Sequence, residues 1–223
     1  NPFLVPWDVR EDWPHEGANI RLACIGRLNP LDKGQDLVLR VLGREKWRQR
    51  PLFVSFYGSG DKRAGLEGMA RHLSLSSVAF EGFSKDPSSI WDRHHGLLLG
   101  SRCEGLPLVL VEAMLSGRVP LVTDAGGNGE LIEDGVTGFL AAEPSADALD
   151  EALERAWQRR AEWRVIGRNA ASAVRAKIPR EPGRVMAATL KRVAAMEETA
   201  PIQDGSATAR DQEHHSGRVR AAR

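Results

Sequence analysis

The chain has 223 residues, a formal net charge of +1, 42% hydrophobic and 27% charged residues, which is the composition of a soluble globular protein with one sizeable domain and no charge excess demanding nucleic acid or an anionic membrane surface. No apolar run approaches the roughly 18–20 residues needed to cross a bilayer, and two thiols far apart, Cys24 and Cys103, argue for a reducing compartment over a disulfide scaffold. The opening Asn1-Pro2-Phe3-Leu4-Val5-Pro6 has neither the basic start nor the long apolar core of a signal peptide, and without a methionine it reads as a boundary inside a longer chain.

From residue 20 onward, short apolar runs alternate with segments of helical period. The pattern predicts a strand over 21–25 and a helix over 35–49 with Leu37, Val38, Val41 and Leu42 on one face. It continues with a β-branched and aromatic strand over 52–57, a helix over 62–73 and a strand at 78–80. A short helix near 88–93 precedes a strand at 96–99. A helix over 108–116, a strand at 119–122, a helix at 129–133 and a last strand at 138–141 follow. Ser145 is a suitable N-cap for a helix reaching residue 160, and helical pattern runs on to 177 and over 181–197. Strands joined by helical crossovers form a parallel sheet covered on both faces, so the fold class is a doubly wound, Rossmann-like α/β domain. The expected organisation is a linker over 1–19, the doubly wound domain over 20–178, a C-terminal helix over 179–197 and a disordered tail over 198–223.

In such a fold ligands bind outside the carboxyl ends of the strands, and four features fall there: Gly26-Arg27-Leu28 with Lys33-Gly34, Gly58-Ser59-Gly60-Asp61, Ser101 to Ala113, and Gly126-Gly127-Asn128-Gly129-Glu130. In the third, Pro107 suits a first helical turn. The free amides of Leu106 to Val109 would face outward at the positive end of the helix, where phosphate binds. Glu104 and Glu112 flank that cradle with seven residues between them, and a carboxylate suits a sugar diol. Arg27 and Lys33 lie where cations could meet a diphosphate leaving group. No Asp-x-Asp pair or His/Cys cluster suggests a metal, and no cofactor is expected.

The stretches GRL…KG, FYGSGD, FEGF and SRCEGLPLVLVEAMLSGRVPLVTDAGGNGELIEDGVTGFL make residues 20 to about 160 resemble the C-terminal domain of retaining glycosyltransferases of the large group 1 family, which have the two-domain GT-B architecture. One departure is Leu99-Gly100, where the family often has a proline. The resemblance implies that Glu104 faces the transferred sugar and Glu112 holds the ribose. It further implies that Gly26, Gly105, Leu106, Pro107, Leu108 and Val109 line the phosphates and sugar. Arg27 and Lys33 would hold the diphosphate, and Phe83 and Ser84 would lie near the base. The donor would be a nucleotide diphosphate sugar such as a UDP- or GDP-hexose, passed with retention to a glycan or lipid acceptor in polysaccharide or glycolipid synthesis. The acceptor pocket would belong to a missing N-terminal domain, through which the cytoplasmic enzyme would touch the inner face of the membrane. A sugar-nucleotide epimerase or phosphorylase of the same fold, or a silent nucleotide-sugar-binding module, are the alternatives.

Other residues carry plainer readings. Gly58 to Gly60 serves either a turn or a ligand loop. His94-His95 and His214-His215 read as solvated pairs, Cys103 as a small packing residue, and the six tryptophans as core or interface anchors, with Trp7 and Trp13 facing the absent domain.

Overall fold

The computed structural model describes residues 3–9, 12–14 and 19–199, with side chains through residue 195. The elements run β1 (Ile20–Ile25), α1 (Pro30–Lys33), α2 (Gln35–Leu42), α3 (Glu45–Arg48), β2 (Leu52–Tyr57), α4 (Arg63–His72), β3 (Val78–Gly82), α5 (Pro87–Trp91) and β4 (Gly96–Leu99). They continue with α6 (Leu108–Leu115), β5 (Val119–Thr123), α7 (Asn128–Leu131), β6 (Phe139–Ala141), α8 (Ala146–Gln158), α9 (Trp163–Lys177) and α10 (Pro182–Thr199). The chain forms two units, Asn1–Val185 and Met186–Arg223. Helical residues of the second reach Thr199, with Met186, Leu190 and Val193 exposed; the expected tail lies, from residue 200, outside the described residues, as does His214-His215. No described helix is long and apolar enough to cross a membrane.

The sheet is parallel throughout, with strand order β3-β2-β1-β4-β5-β6. Each helical crossover returns the chain to the same end of the sheet, and strand order reverses between β1 and β4. A crevice therefore opens beyond Ile25 and Leu99. Two apolar cores fill the faces. One joins Leu37, Val38 and Leu42 of α2 to Trp47, Leu66 and the inner face of α8, with Leu149 and Leu153. The other joins Ile90 and Trp91 to Leu110, Met114 and the inner face of α9, with Ala170 and Val174. Strands β4 and β5 are buried on both faces, which is why they read as unbroken apolar runs.

Local chemistry sets the ends. Asp86 caps α5 by accepting the amides of Ser88 and Ser89, with Pro87 in the first turn. Ser145 caps α8 through Ala148 N–H. The helix expected over 35–49 is instead broken at Gly43, because Arg44 turns to extended backbone and its guanidinium pairs with Asp147 and Asp150 of α8. An additional turn, α1, closes on Gly34 at φ 60. A Cβ there would lie 1.7 Å from Gly100 O, so both left-handed backbone and close approach require glycine.

Three side-chain expectations are corrected. His94 and His95 are buried, not solvated. His94 Nδ1 lies 2.7 Å from Ile90 O with its ring edge-on to Tyr57, and His95 Nδ1 accepts Arg21 N–H at 3.1 Å. Trp7 and Trp13 pack on this domain: Trp13 on the first core and edge-on to His95, Trp7 on the second.

Two outcomes follow. Gly34→Ala should destabilise the domain by about 2 kcal/mol or more, read as a lower urea midpoint. Burial holds the pKa of both histidines down, below about 6.5 for the unfolded chain. The unfolded chain then takes up protons first, so their contribution is present above about pH 6.5 and lost as pH falls through it. The urea midpoint should drop between pH 7.5 and 5.5, and drop less in a His94→Asn/His95→Asn variant; equal drops would show that the pair does not set acid stability.

Candidate functional site

The loop after β1 and the loop after β4 are locked together at the strand-order reversal. Gly34 abuts Gly100. Arg102 N–H and Cys103 N–H both donate to Asp32 O, at 2.8 and 3.3 Å. The Arg102 guanidinium forks onto Asp36 at 2.7 and 2.8 Å and also bonds Pro30 O. Burial pushes the Asp36 carboxyl up, but the hydrogen bonds and charge of Arg102 more than offset it and hold its pKa below the ordinary value.

On this platform Lys33 Nζ donates to both carboxylate oxygens of Glu104, at 2.8 and 2.7 Å, and Ser101 Oγ donates to Oε1 at 2.7 Å. The Glu104 side chain is only 7% exposed, so the pair is mostly withdrawn from water and its geometry is satisfied on both sides. Gly126, at φ 56, packs against the carbonyl of Glu104, where a Cβ would come within 1.8 Å, and Gly127 N–H donates to Gly105 O. The glycine loop after β5 thus props the loop that carries Glu104. Beyond it Pro107 precedes α6. Among the described residues the N–H groups of Gly105, Leu106, Leu108 and Val109 have no acceptor, leaving the positive end of α6 open.

Beside this cluster lies a cavity of about 470 Å³ beyond the ends of β1, β2 and β3. Gly26, Arg27, Gly58, Ser59, Gly60, Phe83, Ser84 and Glu112 line it, with apolar walls from Leu4, Ile25, Tyr57, Pro87 and Ile90. Glu112 projects into it from the second turn of α6. Burial raises its carboxyl pKa, and the Leu4 N–H at 2.8 Å works against that rise. Arg27 is exposed and makes no ion pair among the described residues; its carbonyl is held by Gln35 Nε2 at 2.8 Å.

The structure therefore brings Gly26, Arg27, Phe83, Ser84 and Glu112 into one cavity, and Lys33 with Glu104 into a neighbouring ion pair at the open end of α6. The glycines at 58 and 60 serve turn and cavity together, since a Cβ at Gly58 would strike Gly26 O. Cys103 is exposed rather than packed, because its amide, not its thiol, faces the platform. Sequence reading passed over Ser101, Arg102, Asp36 and Leu4. Ser101 stood at the head of the Glu104 stretch; the others show no signal until the loops meet.

The chain was compared with known proteins. The family model "Glycosyl transferases group 1" matches residues 7–173. A Vi polysaccharide biosynthesis protein, VipC/TviE of Salmonella typhi, is 37% identical over 100 residues, 44% of this chain and 17% of that protein. The structure of Anabaena Alr3699/HepE in complex with UDP-glucose superposes with TM-score 0.70 at 25% identity, over 78% of this chain and 49% of that one. The structure of the C-terminal domain of a group 1 family protein, LpcC of Francisella tularensis, gives TM-score 0.63 at 20% identity, over 74% of this chain and 94% of that one. The chain thus spans less than a fifth of the Salmonella protein and about half of HepE.

Lys33→Ala should leave a mostly buried carboxylate with the Ser101 hydroxyl alone and cost roughly 1–3 kcal/mol in urea unfolding. Glu104→Ala added to it should recover part of that loss, giving a coupling above ~0.5 kcal/mol. Strict additivity would mean that the pair contributes nothing to the platform.

Proposed function

The chain belongs to the glycosyl transferases group 1 family, and we propose that it is the nucleotide-sugar-binding domain of a retaining GT-B glycosyltransferase. The transfer would carry a hexosyl group from a UDP- or GDP-hexose to a glycan or lipid acceptor. The observation that carries this reading is the juxtaposition of a buried carboxylate, Glu112, in an apolar-walled cavity with the Lys33–Glu104 pair at the open N-terminus of α6. A ligand with a base, a ribose diol, a diphosphate and a sugar has the sequence of chemistries that this row of groups would meet.

In this reading the base lies between Phe83, Ser84 and the apolar wall, and the ribose hydroxyls donate to Glu112. Arg27, Lys33 and the amides of Gly105 to Val109 take the diphosphate, and Glu104 faces the hexose. As the bond from the anomeric carbon to the diphosphate oxygen breaks, its electron pair leaves with the diphosphate, where these donors stabilise it without a metal. The acceptor oxygen becomes bonded to the anomeric carbon with net retention, and its proton passes to an oxygen of the departing diphosphate. HepE, solved with UDP-glucose, supports the donor class, and the Salmonella polysaccharide protein supports a glycan product. The acceptor pocket would lie on an N-terminal domain facing this one, which would also carry any membrane contact.

Calorimetry with UDP, GDP and ADP and their hexoses tests the reading, and absence of binding by all of them at millimolar concentration would sink it. Glu112→Ala should weaken nucleotide binding roughly 10- to 100-fold, the loss expected when a charged acceptor is removed. Glu104→Ala should leave nucleotide affinity within a few-fold and weaken the sugar nucleotide more. Lys33→Ala should reduce affinity for the diphosphate more than for the monophosphate.

A further inference from the structure

The N-terminal segment 3–9 touches the cavity at its one buried carboxylate. Leu4 N–H donates to Glu112 Oε1 at 2.8 Å, which is the only hydrogen bond that the Glu112 side chain makes among the described residues. The Leu4 side chain, 69% exposed, stands in the cavity wall instead of the core. Its neighbour Val5 is buried in the second core, which anchors the backbone next to Leu4. Further on, Trp7 O accepts from Arg175 Nε of α9 at 3.4 Å, Asp8 pairs with Arg180 at 2.7 Å, and Val9 N–H closes a turn on Pro6 O. The segment is a strap pinned along the residues that follow the one amide that reaches Glu112.

We propose that this strap is part of the donor site, with Leu4 N–H as a positioning group that fixes the Glu112 carboxylate and favours its ionised form for the ribose hydroxyls. The proposal rests on the donor-domain reading above. A carboxylate removed from water needs a donor to remain charged. The groups facing Glu112 supply little else. Arg27, in the loop after β1, is exposed; Tyr57, at the end of β2, is neutral, its pKa raised by burial. Ser84, after β3, does not titrate, and Arg175 of α9 is engaged with Leu115 O and Trp7 O. Within α6 no other residue carries charge. With Oε1 oriented by the strap, Oε2 is left for the ligand, and the second lone pair of Oε1 remains available to it.

The test is UDP affinity by calorimetry as a function of pH, on the full chain and on variants that separate the N–H from the side chain. In the wild type, affinity falls as pH drops and Glu112 is protonated. Leu4→Pro removes the donor and should weaken UDP roughly tenfold near neutral pH, with the fall displaced to higher pH because the carboxylate has lost its donor. Leu4→Ala keeps the N–H and should leave the position of the fall unchanged, whatever affinity is lost with the side chain. Replacing Leu4 by its α-hydroxy analogue exchanges N–H for an ester oxygen without proline's constraint, and should reproduce the displacement even if Leu4→Pro does not fold. In Glu112→Gln the ester should have no further effect on the pH profile. A profile unchanged by the ester overturns the proposal while wild-type binding upholds the donor-domain reading. Failure of the wild type to bind UDP or any other nucleotide overturns both.

Discussion

The site depends on the contact between two loops that are 66 or more residues apart in sequence, the closest ion pair being Arg102 with Asp36. Lys33 is held near Glu104 by the seating of Gly34 on Gly100, the bonds from residues 102 and 103 to Asp32 O and the Arg102 fork onto Asp36. Parallel strands β1 and β4 are neighbours because the crossover through β2 and β3 returns the chain to the middle of the sheet. That topology places both loops at the same end. The glycines then allow backbone to meet backbone, which a side chain would keep several ångströms apart. A lysine and a glutamate on loops of ordinary spacing would be solvated surface charges worth little; here the platform sets their geometry before any ligand arrives.

The two carboxylates of the motif are in opposite electrostatic situations. Glu104 has its charge matched by Lys33 and a hydroxyl donor from Ser101. Glu112, in the second turn of α6, is buried with one backbone amide donor, and burial raises its pKa. The first is an ion already satisfied, and a ligand must compete for its lysine. The second is an acceptor short of donors, and a ligand bringing hydroxyls relieves that shortage. One side of the site therefore trades partners, whereas the other gains them. This difference follows from where each residue sits, since both are glutamates within one stretch of chain.

Much of the architecture was legible in the sequence. Strands 52–57 and 96–99 were read to the residue, the first as a β-branched and aromatic run and the second as an unbroken apolar one, each closed by glycine. The helix over 35–49 was read as one piece, since good helix formers follow Gly43 and the break goes with the pairing of Arg44 to Asp147 and Asp150 more than 100 residues away. The same reason hid the histidines. A His-His pair after a short helix is usually solvated, and only the packing of Tyr57, Trp13 and Arg21 around it removes the water. The grouping of Gly26, Arg27, Phe83, Ser84 and Glu112 around one cavity could be anticipated from strand ends. The pairing of Lys33 with Glu104, and the approach of Leu4 to Glu112, could not, because neither contact leaves a periodicity or spacing in the chain.

The charge arrangement also bears on what a diphosphate would meet. Before binding, Lys33 and Glu104 cancel, Arg27 makes no ion pair among the described residues, and Glu112 lines the same cavity. In the proposed donor pose an incoming diphosphate would add negative charge beside Arg27 and the open amides of α6, with the ribose between it and Glu112. The Lys33 ammonium, with three donors, could in that pose keep one bond to Glu104 while turning another to a phosphate oxygen. The carboxylate would then lose part of its neutralisation as the leaving group gains it. Glu104 would become a better acceptor for sugar hydroxyls, or a better stabiliser of positive charge at the anomeric carbon, at the moment the diphosphate is bound. The ion pair would in this way act as a charge reserve that the donor itself draws on.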